Sequence, residues 1–462
     1  MAAETSKIAK ELETLEKLQE ETAAKKTRGN SRNIAKSGEM MKKWYSLIDK
    51  VYNKKNLYES YKSVRANKGA PGIDGVTVEA YGINLEEEIE KLHHELKTGT
   101  YEPKPVLRVE IPKPDGSKRP LGIPTVRDRV VQQAVLNILQ PIFDPEFHPS
   151  SYGYRPNRTC QQAVAKAERF MNKYSLRHVV DMDLSKCFDR LDHELILKSV
   201  NRKISDGSLL KLIKKFLTAG VMKDEAYEET TIGSPQGGVI SPLIANIYLD
   251  YFDQKMKAKG IRIVRYADDI LIFAKSHREA RKYLQLAISI LEDEMRLTVN
   301  QDKTHITSVD KGVAYLGFII RPHTVSIHPK KVMALKNKIK EITPRNHGMN
   351  VEQMIKRLNP VLRGWINYYR IANCKGLLAE LMGWIRRRLR MKQMREWKSY
   401  KQLHKALRRR GYKGEFKKIS MTRWRNSASP LLSLALPNSW FDEMGLVNLE
   451  SYKTGILSVY YE

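Results

Sequence analysis

Two adjacent carboxylates, Asp268 and Asp269, sit inside the run "IRIVRYADDILIFA". Its flanks, "IRIV" and "LIFA", read as strands joined by a short turn, which puts the acids at a hairpin tip. Like charges side by side repel, so a chain that places them there needs something to offset the repulsion. Upstream, in "RHVVDMDLSKCFDRLDH", Val180, Met182 and Leu184 alternate with Asp181 and Asp183. Both acids therefore point to one strand face, with Asp183 at the strand end. If the two acid-tipped strands are neighbours in one sheet, their carboxylates converge on divalent cations. Magnesium suits such a place, because it is hard, prefers oxygen and binds through one or two carboxylates plus substrate phosphates. Two such ions, about 4 Å apart, clamp the attacking and leaving oxygens of an in-line displacement. The plain alternative is a polar strand face with a capping Asp, followed by a hairpin with Asp in its turn.

Around these strands the pattern mixes short helices with Gly- and Pro-rich turns, "NKGAPGIDGVT", "IPKPDGSKRPLGIPT" and "IGSPQGGVISP". Strands and helices interleave without a strict βαβ rhythm, so α+β is the expected class. Residues 1–41 read as a charged N-terminal extension and 42–327 as the mixed region. Residues 328–410 read as a helical domain, because apolar residues recur there at helical spacing. Residues 411–462 form a shorter mixed segment with proline-marked breaks at Pro430 and Pro437. The chain carries 82 Lys+Arg against 52 Asp+Glu, a formal charge of +30. Such an excess points to a polyanionic partner, since each neutralised phosphate releases a counterion. Cys160, Cys187 and Cys374 are scattered and form no C-x-x-C pair, which argues against a zinc knuckle or disulfide scaffold and fits a reducing compartment. No run approaches the length needed to span a bilayer, and the charged start is no signal peptide. A soluble protein of the bacterial cytosol, nucleoid-associated and without a membrane partner, is expected.

"VVDMDLSKCFD" and "RYADDILIF" resemble the palm motifs of reverse transcriptases, and the order of the other motifs resembles the proteins encoded by group II introns. "NKGAPGIDGVT" is similar to their additional N-terminal motif, and "IPKPDGSKRPLGIPT" and "SYGYRPNRTCQQAV" to their finger motifs. "IGSPQGGVISPLIANIYLD" is similar to their nucleotide-pocket segment, "LTVNQDKTHIT" and "AYLGFII" to the last palm motifs, and "LNPVLRGWINYYR" to the maturase or thumb signature. The resemblance spans roughly Asn67 to Arg410. It implies a right-hand polymerase, with fingers, an RRM-like palm built on an antiparallel sheet, an α-helical thumb or maturase domain, and a small C-terminal DNA-binding segment. The implied activity is RNA-directed DNA synthesis, with help in splicing the parent intron and mobility by target-primed reverse transcription. The implied partners are group II intron RNA, an RNA template with a DNA primer, a DNA target and dNTPs. Two Mg2+ ions per active site and a possible homodimer complete the expectation.

Site roles follow from the same resemblance. Asp183 and Asp268 match the metal-binding aspartates, Asp269 is the third acid, and Leu184 would lend a backbone carbonyl to one metal. Lys113 and Arg119 match finger residues that hold the incoming triphosphate, where cations neutralise phosphate charge as it shifts in the transition state. Phe188 matches a bulky ring that would clash with a ribose 2′-hydroxyl; on pattern alone it reads as a core residue. Gln236 in "SPQGG" matches a residue near the nucleotide, with Gly237 and Gly238 allowing close backbone approach. Lys303 matches a lysine that protonates the pyrophosphate, or is a solvated surface lysine.

From Arg386 to Arg410 the chain reads "RRRLRMKQMREWKSYKQLHKALRRR", with Glu396 its single acid. Arg386, Arg387, Arg388, Arg390, Arg408, Arg409 and Arg410 are expected to grip RNA phosphates while interleaved aromatics stack on bases. Trp365, Tyr368 and Tyr369 in "GWINYY" read instead as core and interface residues. The chain shows none of the Cys pairs and His ligands of the nuclease that many relatives append, so second-strand cleavage is not expected. Rival readings are a catalytically idle splicing cofactor, an RNA-dependent RNA polymerase and a retron-like domesticated reverse transcriptase. The three acids oppose the first, Phe188 the second, and "NKGAPGIDG" with "LRGWINYY" the third.

Overall fold

The computed structural model describes residues 43–112, 116, 118–223, 226–234, 237–346 and 348–461. Expectations for the 1–41 extension, Lys113 and Gln236 lie outside them. The strands run β1 (Val106–Pro112), β2 (Lys118–Ile123), β3 (His178–Asp183), β4 (Val221–Lys223), β5 (Ala226–Glu228) and β6 (Arg262–Tyr266). They continue as β7 (Asp269–Ala274), β8 (His305–Ser308), β9 (Val313–Tyr315), β10 (Phe318–Arg321) and β11 (Thr324–Ile327). The helices needed below are α1 (Lys54–Ala66), α2 (Leu85–Thr98), α3 (Val126–Phe143), α4 (Cys160–Lys173), α5 (Gly207–Leu217), α6 (Ser241–Ala258) and α7 (His277–Ser289). After them come α8 (Pro329–Ile342), α9 (Val351–Tyr369), α10 (Lys375–Trp397), α11 (Tyr400–Arg409), α12 (Pro430–Ala435) and α13 (Asn438–Glu443).

The central sheet has the order β6-β7-β3-β8 and is antiparallel throughout. Its strands are apolar on both faces, as expected for a sheet covered on both sides. Val180, Met182, Ile263, Ile270 and Ile272 pack into one core with α3, α5 and α6. Val179, Val264, Leu271 and Phe273 pack into a second core with α4, β10 and α9. Each fully buried Ile, Leu or Phe contributes about 1.5–3 kcal/mol, so burial on both faces holds this sheet firmly. Asp181 and Asp183 lie on the Val179 face, beyond the point where the second core covers it.

A second sheet, β2-β1-β4-β5, joins the β1–β2 hairpin to β4 by a short parallel contact. A third, β11-β10-β9, carries the helical region. "VAYLGFII" is not one strand. Leu316 (φ 49°) and Gly317 (φ 84°) both take left-handed backbone and turn it into the β9–β10 hairpin, the two-residue loop that strand twist favours.

No strand follows Ile327 among the described residues. Capping explains where the helices begin. Thr159 and Gln162 form a reciprocal capping box on α4, as do Asn350 and Gln353 on α9. The prolines read as breaks are helix starts, Pro430 being the first residue of α12 and Pro437 the N-cap of α13. Tyr368 stacks on Phe318 with ring centroids 5.6 Å apart, and Tyr369 packs between Phe318 and Trp365. "GWINYY" thus docks α9 on β10, which is the core role its spacing indicates. No described helix is long and apolar enough to cross a membrane.

Candidate active site

Antiparallel register brings the acids together. Asp183 is the direct partner of Asp269 across β3 and β7, and Tyr266 is the partner of Asp269 across β6 and β7. Ala267 and Asp268 are therefore the two residues of the turn. Ala267 takes a left-handed backbone (φ 56°), which residues other than glycine seldom adopt. Such strain persists only where the surroundings enforce it.

The enforcing group is Arg265. Its guanidinium is fully buried and pairs with the equally buried Asp253 at 2.6 Å. It also donates to Asn246 Oδ1 at 2.9 Å and to the Ala267 carbonyl at 3.0 Å. Asn246 in turn donates to the Gly153 carbonyl at 2.8 Å. Gly153 lies directly beneath the turn, where a Cβ would come within 2.3 Å of the Ala267 nitrogen, so only glycine fits. A buried cation thus pulls the turn inward from behind while the carboxylates face out in front.

Asp183 Oδ2 accepts from Lys303 Nζ at 3.1 Å and from Asn300 Nδ2 at 3.3 Å. Hydrogen bonding to Asp183, then its charge, raises the Lys303 pKa. Burial first, then the neighbouring Asp183 charge, raises Asp268, with Arg119 and Lys303 opposing. Asp269 is crowded by protein on one side yet exposed on the other. Desolvation, then the charges of Asp268, Asp183 and Asp181, push its carboxyl up to about 7. Burial pushes Asp181 up to about 6, with His305 opposing. Four carboxylates therefore share a field that favours taking up positive charge.

The donor set fits magnesium in kind. It is all oxygen, and a lysine ammonium already rests on Asp183. Among the described residues no three His, Cys, Asp or Glu side chains close on a common point. The acids would supply part of a coordination shell, leaving the rest to substrate oxygens and water, as Mg2+ prefers. Leu184 forms an isolated bridge with Val299, flanked by Ser185 N–H to Thr298 O and Asn300 N–H to Asp183 O, both 2.9 Å. That pattern leaves the Leu184 carbonyl out of the bridge.

Arg119 lies on β2 opposite Ile111, and its charge acts on both Asp268 and Tyr154. Phe188 is buried in a short 3-10 turn (Cys187–Arg190), and its ring meets Tyr154 edge-on at 6.1 Å. Ser234 N–H donates to the Phe188 carbonyl at 2.7 Å and Gly233 N–H to the Leu191 carbonyl at 2.8 Å, so these two residues dock against that turn. Gly237 has φ 117°, and a Cβ there would sit 2.4 Å from the Gly122 carbonyl. The close approach its glycine permits in this structure is to β2.

Sequence reasoning assigned no role to Arg265, Asp253, Asn300 or Tyr154. Arg265 and Tyr154 lay inside quoted motifs, "RYADD" and "SYGYRP". The available signal for Arg265 was its place in the strand "RIVRY", where alternation puts it on the same face as the apolar Ile263. Asp253 and Asn300 carried none.

The arginine run divides. Arg386 is buried on Glu450 at 2.8 Å, Arg387 bonds Ser427 and lies over Trp424, and Arg388 donates to the Thr343 carbonyl at 2.6 Å. Arg390 donates to the Leu436 carbonyl at 2.9 Å and to Asn438 Oδ1 at 3.0 Å. These four tie α10 to the segments around it, because a guanidinium beside orphan carbonyls satisfies them as a phosphate would be satisfied. Arg408, Arg409 and Arg410 stand exposed at the end of α11.

An antiparallel sheet with acids at the tips of adjacent strands, flanked by a basic hairpin, defines the palm of a right-hand polymerase. Residues 111–320 match the reverse transcriptase (RNA-dependent DNA polymerase) family, and residues 332–411 match the group II intron maturase-specific domain. Protein YkfC of Escherichia coli K12 is 35% identical over 300 residues, covering 56% of this chain and 79% of that protein. The group II intron-encoded protein LtrA of Lactococcus lactis subsp. cremoris is 32% identical over 331 residues, covering 57% of this chain and 54% of that protein. The chain belongs to the group II intron-encoded reverse transcriptase and maturase family. It spans about half the length of LtrA. Among solved structures, apo telomerase from Candida tropicalis, truncated from the C-terminal domain, is 16% identical with a TM-score of 0.37, covering 53% of this chain and 59% of that one.

Proposed function

We propose that this chain is an RNA-directed DNA polymerase that also binds its intron RNA to assist splicing and supports intron mobility by target-primed reverse transcription. The register that pairs Asp183 with Asp269, and so sets Asp268 beside them, is the observation that carries the polymerase reading. Asp183 and Asp268 would hold the divalent ions, with Asp269 as the third acid and the Leu184 carbonyl as an added ligand. Bound magnesium supplies charge neutralisation at the attacking and leaving oxygens. Arg119, with Lys113, holds the triphosphate of the incoming dNTP, and Gln236 lies near that nucleotide. Phe188, braced by Tyr154, walls the sugar site against a 2′-hydroxyl. The primer 3′-hydroxyl attacks the α-phosphorus and gives up its proton to solvent water, the bond to pyrophosphate breaks, and Lys303 gives its own proton to that leaving group. Residues 42–327 act as fingers and palm, 328–410 as thumb and maturase domain, and 411–462 as a DNA-binding segment. Arg408, Arg409 and Arg410 contact RNA. The test is extension of a DNA primer on an RNA template, with dNTP and rNTP pools kept apart and an EDTA control. Asp268→Asn is expected to abolish extension while RNA binding persists; synthesis retained by that variant removes Asp268 from the active site.

A further inference from the structure

The cavity most unlike the rest of the surface lies far along the chain from the acids, among α10, α11, α12 and α13. It encloses about 490 Å3 and is lined by Gln393, Trp397, Gln402, Lys405, Arg409 and Trp440, with Arg410 also at its rim and Ala406, Ala435 and Leu436 as its apolar floor. Its construction is local. α10 ends at Trp397, Lys398 reverses the chain through a left-handed backbone (φ 56°), and Ser399 caps α11 by accepting from the Lys401 N–H at 3.2 Å. Leu403 and Leu407 of α11 then bury against Leu432 and Leu436, which sets α12 alongside. Arg390 pins the floor, since its guanidinium bridges the Leu436 carbonyl and Asn438.

Three features of the lining select a ligand. Lys405, Arg409 and Arg410 are exposed, no carboxylate lines the cavity among the described residues, and no described ion pair or hydrogen bond engages those three side chains. Such cations suit an anion at the mouth. Trp397 and Trp440 are half-buried, each offering indole surface to the cavity. Gln393 and Gln402 bring side-chain amides that both donate and accept, as a base edge requires. The volume lies in the range of pockets that enclose a small molecule. An apolar floor, two indoles, two amides and a cationic rim fit one chemical class, a nucleotide whose base has left its stack.

We propose that this cavity captures a single unstacked nucleotide of bound RNA, with the base against Trp397 or Trp440 and its phosphate on Lys405, Arg409 or Arg410. The inference rests on the RNA-binding reading above and deepens it, turning a basic surface into a site that recognises a nucleotide. RNA is the occupant because Gln393, Trp397, Gln402, Lys405, Arg409 and Arg410 all fall within the stretch that matches the maturase-specific domain.

The test uses the full chain and a short single-stranded RNA in which 5-bromouridine replaces uridine. Near-ultraviolet irradiation is expected to link the RNA to Trp397 or Trp440, located by peptide mass spectrometry. Trp440→Leu is expected to weaken binding of that RNA about tenfold, the scale of one lost base–aromatic stack. Lys405→Gln and Arg409→Gln, on exposed positions that leave the small core intact, are expected to weaken binding and reduce the crosslink. If the RNA binds but crosslinks only elsewhere, and the two exposed variants bind as the parent does, the pocket is refuted while RNA binding stands. If the RNA does not bind at low salt, the RNA-binding reading itself fails. A bromodeoxyuridine DNA of the same sequence that crosslinks to the indoles as efficiently would overturn the assignment to RNA.

Discussion

Replacing Asp253 by Asn tests whether the buried arginine behind the Ala267–Asp268 turn does what its contacts indicate. Asp253 and Arg265 have no exposed side-chain surface, and the carboxylate accepts from Nε at 3.0 and 2.9 Å and from a terminal nitrogen at 2.6 Å. The Asn variant keeps the shape and removes the charge, leaving a guanidinium in a dry interior without its counterion. Breaking such a pair from one side costs about 3–5 kcal/mol. Against a total stability of roughly 5–15 kcal/mol, that is a large fraction. Equilibrium denaturation followed by circular dichroism reads it directly. A second variant separates stability from positioning. Asp253→Leu with Arg265→Met replaces the pair by apolar groups of similar volume, a change that is often neutral or stabilising. It also removes the donor to the Ala267 carbonyl, a hydrogen bond to a charged group worth about 1.5–3 kcal/mol. The double variant is therefore expected to fold about as stably as the parent yet extend primers roughly ten- to a hundredfold more slowly, as the turn relaxes from its strained backbone. A parental extension rate in a stable double variant would refute the positioning role. An Asn variant within about 0.5 kcal/mol of the parent would refute the energetic argument, because surface-like tolerance is incompatible with a buried ion pair.

Four further outcomes are expected. Phe188→Ala opens the wall beside Tyr154 and raises ribonucleotide incorporation, read as the dNTP/rNTP ratio in primer extension; an unchanged ratio defeats the gate. Neutralising Arg408, Arg409 and Arg410 to Gln lowers the slope of log affinity for RNA against log salt by roughly 2–3, since each phosphate contact contributes about 0.7–0.9. Neutralising Arg386 instead destabilises the fold, because Glu450 loses its partner. The acid cluster sets a pH dependence that is measured in EDTA as the stability difference between the parent and Asp269→Asn. Asp269 titrates at about 7 in the folded chain, against an unfolded aspartate value near 3.9. Its contribution is thus fully present below the unfolded value and lost as pH rises through about 7, so the parent falls relative to the variant across that window. A difference that moves the other way would place Asp269 among stabilising charges.

The acid-tipped strands were legible because alternation leaves no choice. Once Val180, Met182 and Leu184 are buried, Asp181 and Asp183 share the opposite face, and a two-residue turn can only put Asp268 at the tip. The helices from α8 to α10 were legible for the same reason, as repeated apolar spacing outweighs local detail. Arg265 was not, because the same strand carries a second, exposed arginine, Arg262, residue type alone does not say which of the two is buried, and its partner Asp253 lies on a different element. The arginine run also holds structural contacts that its sequence does not show. Consecutive residues on a helix point about 100° apart, so Arg386, Arg387 and Arg388 reach three separate neighbours, Glu450, Ser427 and Thr343. Composition counts their charges alike whether a guanidinium meets a carbonyl of its own chain or a phosphate. The hairpin inside "VAYLGFII" was not legible either, because the left-handed backbone at Leu316 leaves no trace in residue type.

The same turn shows why the site is built with a buried cation rather than a neutral support. Asp268 and Asp269 repel each other and Asp183, and that repulsion pushes the loop outward, away from the sheet. A hydroxyl or amide behind Ala267 would hold its carbonyl with one neutral hydrogen bond, worth about 0.5–1.5 kcal/mol. Arg265 holds it with a charged donor whose own position is set by Asp253 and Asn246. It therefore anchors the backbone without occupying the face the carboxylates present. Lys303 does the corresponding work in front, through a single exposed contact at 3.1 Å that a stronger cation or a phosphate can displace. One cation is buried and fixed, the other exposed and exchangeable. That asymmetry keeps the acids in place while leaving their outer face open to substrate.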